Sequence, residues 1–328
     1  MKVVFFGTPS FALPTLQALL DRPEFDVVAV VSQPDRPKGR GKKLQPTPVK
    51  ALAESAGVPV WQPERIKKSE EALQALEALE ADAFVVVAYG QILSQRILDM
   101  PRLGCINVHG SLLPAYRGAA PIQWAITNGD AETGITTMQM DIGMDTGNML
   151  LKRSVEISPN GTSAELAEIL APLGAELLVE TLLKLDEGAI QAEPQAEELA
   201  TYASLLSKAD FELDWSQSAL ELHNRIRAFS PNCFTEFSGQ RCKIIGSQSP
   251  LLETSVPGVS DGAATEQASA ASPGTVIDIL KGKGFFVQTG DGCLRLTQVQ
   301  LAGKKAQSAW DFANGMRLEV GQTFGSDR

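Results

Sequence analysis

The 328-residue chain holds only two histidines. One of them, His109, follows Asn107 by two positions in CINVHGSLLPAYRG, residues 105–118. Residues i and i+2 of a strand project from the same face, so a carboxamide and an imidazole would point the same way. Both can donate a hydrogen bond to one oxygen, as a carbonyl requires while it gains negative charge under nucleophilic attack. A carboxylate beside the imidazole would orient it and favour its protonated form. Asp145, in MQMDIGMDTG, is the candidate for that carboxylate. Such a trio suits acyl-group transfer that uses no protein nucleophile. Consistent with this, Ser111 has no second histidine near it in sequence.

Taken singly, these residues also have ordinary readings. A histidine at a strand end is often just a satisfied polar residue, and an aspartate such as Asp145 often forms a turn by bonding its own backbone. MDTG matches the aspartic-protease triplet, but that chemistry needs two aspartates sharing a proton, and the triplet occurs once. GTPSFA lacks the three glycines of a dinucleotide fingerprint, and no acidic residue ends the second apolar run before Gln33. Nucleotide-cofactor chemistry is therefore disfavoured. The chain carries no Walker sequence.

The elements that must position the trio are legible as apolar runs. KVVFF, DVVAVVS, VPVW, DAFVVVAYG, GCINVH and GITTMQMD read as strands, and FALPTLQALL, VKALAESAG, the stretch Glu70 to Leu79 and the stretch Ser163 to Leu185 as helices. Continuous Val/Ile runs alternating with helices predict an α/β, doubly wound, mostly parallel sheet covered on both faces. In such sheets ligands bind at the carboxyl ends of the strands, which is where Asn107 and His109 fall. This first domain is expected over 1–189, followed by a polar, acidic linker over 190–207. Beyond it, over 208–328, short runs at CKIIGS, GTVIDIL, GFFVQT and CLRLTQVQL predict a small β-barrel resembling the oligonucleotide-binding (OB) fold. An Ala/Ser/Gly-rich insertion near 253–273 is expected to be a mobile surface segment.

Composition narrows the function classes. An apolar fraction of 44% fits a folded, soluble chain. The N-terminal apolar run is too short for a secretory signal, and no stretch approaches the ~20 apolar residues of a membrane span. Four scattered cysteines without metal-like spacing predict reduced thiols, a cytoplasmic protein and no metal. A formal net charge of −10 argues against general nucleic-acid binding. One local basic stretch runs the other way. QPDRPKGRGKKLQPTP carries Arg36, Lys38, Arg40, Lys42 and Lys43 against a single acid, Asp35. Prolines stiffen its flanks and two glycines loosen its middle, so it is a candidate to reach into an RNA acceptor stem, with Arg40 central.

NVHGSLLPAYRG together with MQMDIGMDTG resembles the folate-dependent formyltransferases, and FFGTPSFA, QPDRPKGRGKKLQPTPVK, VVVAYGQIL, GAAPIQWAI and LAGKKAQSAWDF extend the resemblance over nearly the whole chain. The resemblance implies transfer of the formyl group of 10-formyltetrahydrofolate to the α-amine of methionine carried on initiator tRNA. It makes Asn107, His109 and Asp145 the catalytic residues. Folate contacts are expected from Gly90, Gln91, Ile92 and Leu93, from Ser111, Leu112, Leu113 and Pro114, and from Asp141 and Met144. It supports the basic loop as a tRNA contact, with Lys304 and Lys305 adding phosphate contacts from the second domain. A monomer without membrane partners is expected. Two rival readings stand beside this one: a small-substrate formyltransferase acting on glycinamide ribonucleotide or an amino sugar, and a non-catalytic RNA-binding protein of the same fold. The basic loop and barrel disfavour the first, and the intact trio disfavours the second.

Overall fold

The computed structural model describes residues 1–38, 43–252, 259–260, 263–264 and 271–325. Contacts divide the chain into two units. One comprises Met1–Pro121, Glu132–Val155 and Ala167–Ser204, and the other Ile122–Ala131, Glu156–Leu166 and Leu205–Arg328.

The first unit is built on a seven-stranded sheet. Its strands are β1 (Lys2–Gly7), β2 (Asp26–Val31), β3 (Val60–Trp61), β4 (Ala83–Val87), β5 (Cys105–His109), β6 (Glu132–Gln139) and β7 (Met149–Glu156), in the order β7-β6-β5-β4-β1-β2-β3. The pairs β1–β2, β1–β4, β2–β3 and β4–β5 are parallel. All five residues of β4 and of β5 are buried, which explains the unbroken apolar run of β4: a sheet covered on both faces has no solvent side to alternate with. β6 is antiparallel to β5, with His109 opposite Thr136 and Asn107 opposite Met138. The edge strand β7 is absent from the sequence-based expectation. Its sequence, MLLKRSVE, ends in alternating half-exposed and exposed positions and so lacks the apolar run that marks the others. Helices Leu13–Leu20, Pro48–Ser55 and Glu70–Ala78 form as expected; Thr47 and Ser69 cap the last two by accepting from Lys50 N and Ala72 N.

The second unit contains a curled antiparallel sheet in which Phe234–Phe237, Gln240–Ser247, Cys293–Leu301, Gly284–Gln288 and Val276–Leu280 are neighbours in that order. Phe237, Phe285, Phe312 and Phe324 pack together inside it, with ring centroids 4.6–6.5 Å apart. An α-helix, Ala219–Phe229, opens with a capping box at Ser218 and Glu221. The insertion expected near 253–273 lies largely outside the described residues.

Within this unit, His223 and Arg227 are buried and hold the segment Ser158–Gly161. His223 Nε2 donates to the Pro159 carbonyl at 2.8 Å, and Nδ1 lies 2.8 Å from Ser247 Oγ. Arg227 Nη1 donates to the carbonyls of Ser158 and Gly161. Burial, assisted by the Arg227 charge, pushes the His223 imidazole down to about 4. The native state therefore binds fewer protons than the unfolded state between the ordinary histidine value and that one. Stability from this group is present at neutral pH and falls as pH drops through the window. The loss between pH 6.5 and pH 4 should be about 2–3 kcal/mol. Chemical denaturation across that range should show a shallower pH slope in His223→Gln than in the parent; equal slopes would remove His223 from the account.

Candidate active site

β5 ends at His109, and Asn107 and His109 do project from one face of it. Both are buried, at 9% and 5% exposure. The loop after β6 supplies the third group. Met140 N bonds the carbonyl of Cys105, at the start of β5, and the loop then folds back along that strand until Asp145 reaches its end. Asp145 Oδ1 accepts from Asn107 Nδ2 at 3.4 Å, and Oδ2 stands 3.6 Å from His109 Nδ1. A backbone group from a third segment completes the cluster: Gly118 N donates to Asp145 Oδ2 at 2.8 Å. His109 Nε2 lies 2.9 Å from the carbonyl of Tyr116. A carbonyl can only accept, so Nε2 carries a hydrogen there. The trio named from sequence is thus one connected cluster, and the imidazole's outer nitrogen rests on Tyr116.

Positive backbone angles and glycines set the shapes of the two segments that meet here. Asp145 sits at φ +54° and Tyr116 at +62°, and Gly118 at +122°. A Cβ on Gly147 would stand 1.8 Å from the carbonyl oxygen of Gln139, and one on Gly143 would stand 1.9 Å from Thr146 Oγ1. Asp141 folds the same loop from inside, accepting from Gly143 N at 3.0 Å and from Thr146 Oγ1 at 2.7 Å.

The other residues named from sequence divide by place. Ser111 is buried, with Oγ donating to the Ala115 carbonyl at 2.6 Å, and its own carbonyl accepts from Thr136 Oγ1. Leu113 N donates to Thr136 Oγ1 at 3.0 Å, and Lys152 Nζ donates to the Leu113 carbonyl; Leu113–Pro114 is a cis peptide. Gln91 is held in the protein, its Oε1 accepting from Ile66 N at 2.8 Å and its Nε2 donating to Pro63 O. Leu93 is buried, and Gly90 has φ +83°. Ile92 and Met144, both apolar, are 70% and 65% exposed. Met144 flanks the trio, since a Cβ on Gly118 would stand 3.6 Å from its Sδ. Open apolar side chains beside loop backbone suit the flat, polar-edged head group of a folate.

In the basic stretch, Arg36 is exposed and pairs with Glu64 at 3.3 Å. Arg36–Lys38 and Lys43–Gln45 form a short antiparallel hairpin. Arg40 and Lys42 lie outside the described residues. Asp35 is engaged by Lys50 Nζ at 2.7 Å and Gln62 Nε2 at 2.6 Å. The hydrogen bonds from Lys50 and then Gln62 hold its carboxyl below the usual carboxylate range. Lys304 and Lys305 are exposed in the second unit. Among the described residues no cluster of His, Cys, Asp and Glu could hold a metal ion, and no helix is long and apolar enough to cross a membrane.

Sequence reasoning missed Tyr116, Gly118 and Gln195. The first two lie inside the quoted motif but act through backbone atoms, which no side-chain pattern marks. Gln195 lies in the stretch expected as a linker.

Comparison with known proteins gives the family of the chain. A formyl transferase family model matches residues 1–182, and a model of the formyl transferase C-terminal domain matches residues 205–317. The methionyl-tRNA formyltransferase of Synechococcus sp. (strain JA-2-3B'a(2-13)) is 59% identical over 325 residues, covering 99% of this chain and 98% of the relative. The chain belongs to the methionyl-tRNA formyltransferase family. Another relative of that name, from Trichodesmium erythraeum (strain IMS101), is 55% identical over 98% of both chains. The fold is shared more widely. An N-formyltransferase from Helicobacter canadensis, solved with folinic acid and dTDP-3-aminofucose, superposes with a TM-score of 0.62 at 18% identity, covering 93% of this chain and 100% of that one. The chain therefore shares its scaffold with that N-formyltransferase.

The close approach at Gly118 has a measurable consequence. A Cβ there would stand 2.5 Å from the Ala203 carbonyl oxygen, whereas Gly188, also at positive φ (+67°), has nothing within 4 Å. Gly188→Ala should cost about 1 kcal/mol, the backbone term alone. Gly118→Ala should cost at least about 2 kcal/mol. Denaturant midpoints of the two variants would decide this, and equal losses would mean that the Gly118 contact is not tight.

Proposed function

We propose that the chain transfers the formyl group of 10-formyltetrahydrofolate to the α-amine of methionyl initiator tRNA, with Asn107, His109 and Asp145 as the catalytic residues. The observation that carries the mechanism is the cluster at the end of β5, in which one carboxylate touches both Asn107 and His109. The chain is a formyl-transferring enzyme by family. Methionyl-tRNA and a formyl-tetrahydrofolate are its substrates. It acts in the cytoplasm, as a monomer.

The neutral amine attacks the formyl carbon directly, and the bond from that carbon to N10 of the folate breaks. Free α-amino groups titrate near ~8, so a useful unprotonated fraction exists at neutral pH. Asn107 Nδ2 and the His109 imidazole donate to the formyl oxygen as charge develops on it. To do so, His109 exchanges the Tyr116 carbonyl for that oxygen, so Tyr116 holds the ring ready without adding charge. Asp145 orients the imidazole and passes the proton lost by the amine towards the departing N10. The segments Gly90–Leu93, Ser111–Pro114 and Asp141–Met144 line the folate, with Ile92 and Met144 as its apolar contacts. Arg36, Lys38, Arg40, Lys42 and Lys43 engage the acceptor arm, and Lys304 and Lys305 add phosphate contacts. With Asp35 tied to Lys50 and Gln62, the basic stretch meets RNA without an opposing free acid of its own.

Formyl transfer from labelled 10-formyltetrahydrofolate to methionyl-tRNA, free methionine and glycinamide ribonucleotide tests the assignment directly; label should pass only to methionyl-tRNA. Asn107→Ala and His109→Ala should each lower kcat by ~10²- to 10³-fold with methionyl-tRNA binding nearly intact. Asp145→Asn should be at least as harmful. Turnover within about threefold of the parent in any of the three would remove that residue from the mechanism.

Recognition is tested separately. Arg40→Ala should lower kcat/KM for methionyl-tRNA severely without changing folate affinity, because a guanidinium fork binds phosphate or a base edge in a way alanine cannot. Replacing Lys42 and Lys43 by Ala should chiefly flatten the salt dependence, by roughly 0.7–0.9 log units for each phosphate no longer neutralised. Unchanged formylation by a charge-neutralised loop in moderate salt would leave recognition to the second domain alone.

A further inference from the structure

The stretch from Gln195 to Ala203 runs beside the catalytic loops of the first unit. Gln195 Nε2 donates to the carbonyls of Asp145 at 2.7 Å and of Gly147 at 2.8 Å. Its Oε1 accepts from Arg117 Nε at 2.9 Å. One carboxamide thus uses both hydrogens and its oxygen, and only one orientation of the amide satisfies all three partners. Arg117 is buried, and its guanidinium is gripped by both oxygens of Glu197, at 2.9 and 3.1 Å. Farther along, Tyr116 N donates to Thr201 Oγ1 at 2.9 Å, and Arg117 N and Ala119 N donate to the carbonyls of Thr201 and Ala203. These bonds hold the same backbone that presents Tyr116 O to His109 and Gly118 N–H to Asp145.

Asp145 is held at φ +54°, where a residue with a Cβ persists only if its surroundings impose it. Its side chain has Asn107, His109 and Gly118 to face, while its carbonyl has Gln195. We propose that Gln195 is a positioning residue of the formyl-transfer site. By fixing the carbonyls of Asp145 and Gly147 it keeps the Asp145 carboxylate turned towards Asn107 and His109. Arg117, locked by Glu197, keeps the carboxamide from rotating. Gln195 touches no reacting atom, and the proposal rests on the catalytic reading of Asp145 given above.

The test is a double-mutant cycle on the full chain. Gln195→Met keeps volume and removes all three hydrogen bonds. Gln195→Glu still accepts from Arg117 but cannot donate to the two carbonyls. Both are made alone and with Asp145→Asn, and kcat, KM for each substrate and melting temperature are measured. A misplaced catalytic group can cost on the order of 10²-fold, so each single variant should lose about that much in kcat. KM for methionyl-tRNA and for 10-formyltetrahydrofolate should stay within about twofold, and the folded fraction at the assay temperature should be unchanged. In the Asp145→Asn background Gln195→Met should cost less than about threefold, because residues acting as one unit are not additive. Three results would overturn the proposal: full loss in both backgrounds, loss expressed in KM for methionyl-tRNA, or loss that matches a fall in the folded fraction. Parental activity in Gln195→Met beside an inactive Asp145→Asn defeats the positioning role alone. Full activity in Asp145→Asn itself defeats the catalytic reading beneath it.

Discussion

One carboxylate has to stand where two strand residues already point. Asn107 and His109 are placed by the period of β5, which a fully buried parallel strand cannot shift without turning its whole apolar set over. Asp145 has no such guarantee. It arrives on a loop that leaves β6 at the wrong end of β5 and must fold back to reach His109. Its charge-assisted bond from Gly118 N, at 2.8 Å, is the short contact of the cluster, and the contacts to Asn107 and His109 are longer. Backbone and carboxylate are therefore fixed first, and the imidazole and carboxamide take their orientation from them. This explains the concentration of glycine around the loop. Gly143 and Gly147 sit where any Cβ would collide with Thr146 or Gln139.

Electrostatics at the opposite edge of the sheet follow a similar economy. A chain of net charge −10 that handles RNA needs a local field opposed to its overall one. Asp35 is the one acid in the basic stretch, and the structure turns it inward as an anchor. Lys50 and Gln62 both bind it, and Gln62 also donates to the Gln33 carbonyl at 2.8 Å. Gln33 in turn donates to the carbonyl of Tyr89 at 3.2 Å, and Thr8 Oγ1 donates to that same carbonyl at 3.0 Å. The root of the basic hairpin is thereby tied to the strand ends of β1, β2 and β4. By contrast the Arg36–Glu64 pair has both side chains about 70% exposed. Such a pair contributes little and leaves Arg36 free to exchange partners.

How much of this is legible depends on which physical signal each part leaves in the sequence. The buried strands β1, β2 and β4 announce themselves because burial on both faces forces nearly unbroken apolar runs. The strand β7, open to solvent along its outer half, leaves no such run and escapes notice. The Asn107–His109 pair is legible through strand periodicity, whereas Asp145 stands only as a candidate carboxylate until the resemblance joins it to them, because a fold-back loop obeys no period. Residues 190–207 look like a linker by composition, being polar and acidic. In the structure this stretch is held by hydrogen bonds rather than by burial, with Gln195 and Thr201 supplying side-chain contacts and Ala203 backbone ones. A polar segment that docks through amides and carbonyls is indistinguishable, in composition, from one that does not dock.

The chain is partitioned less simply than its composition suggests. A linear cut near residue 189 suits the composition, yet the second unit also takes in 122–131 and 156–166. These are the segments that lead into β6 and out of β7, and Ile157 N bonds the Ala131 carbonyl at 2.8 Å to close their base. Within that unit, the segment 158–161 is gripped by groups that tolerate little rearrangement. Arg227 is a buried cation whose hydrogen-bond partners are Asn224 and two carbonyls, and His223 is a buried neutral imidazole bonded at both nitrogens. Breaking such contacts leaves a desolvated donor behind, which costs more than the bond itself returned. Inside the second unit this short segment is thus held as demandingly as the glycine-dependent fold-back is inside the first.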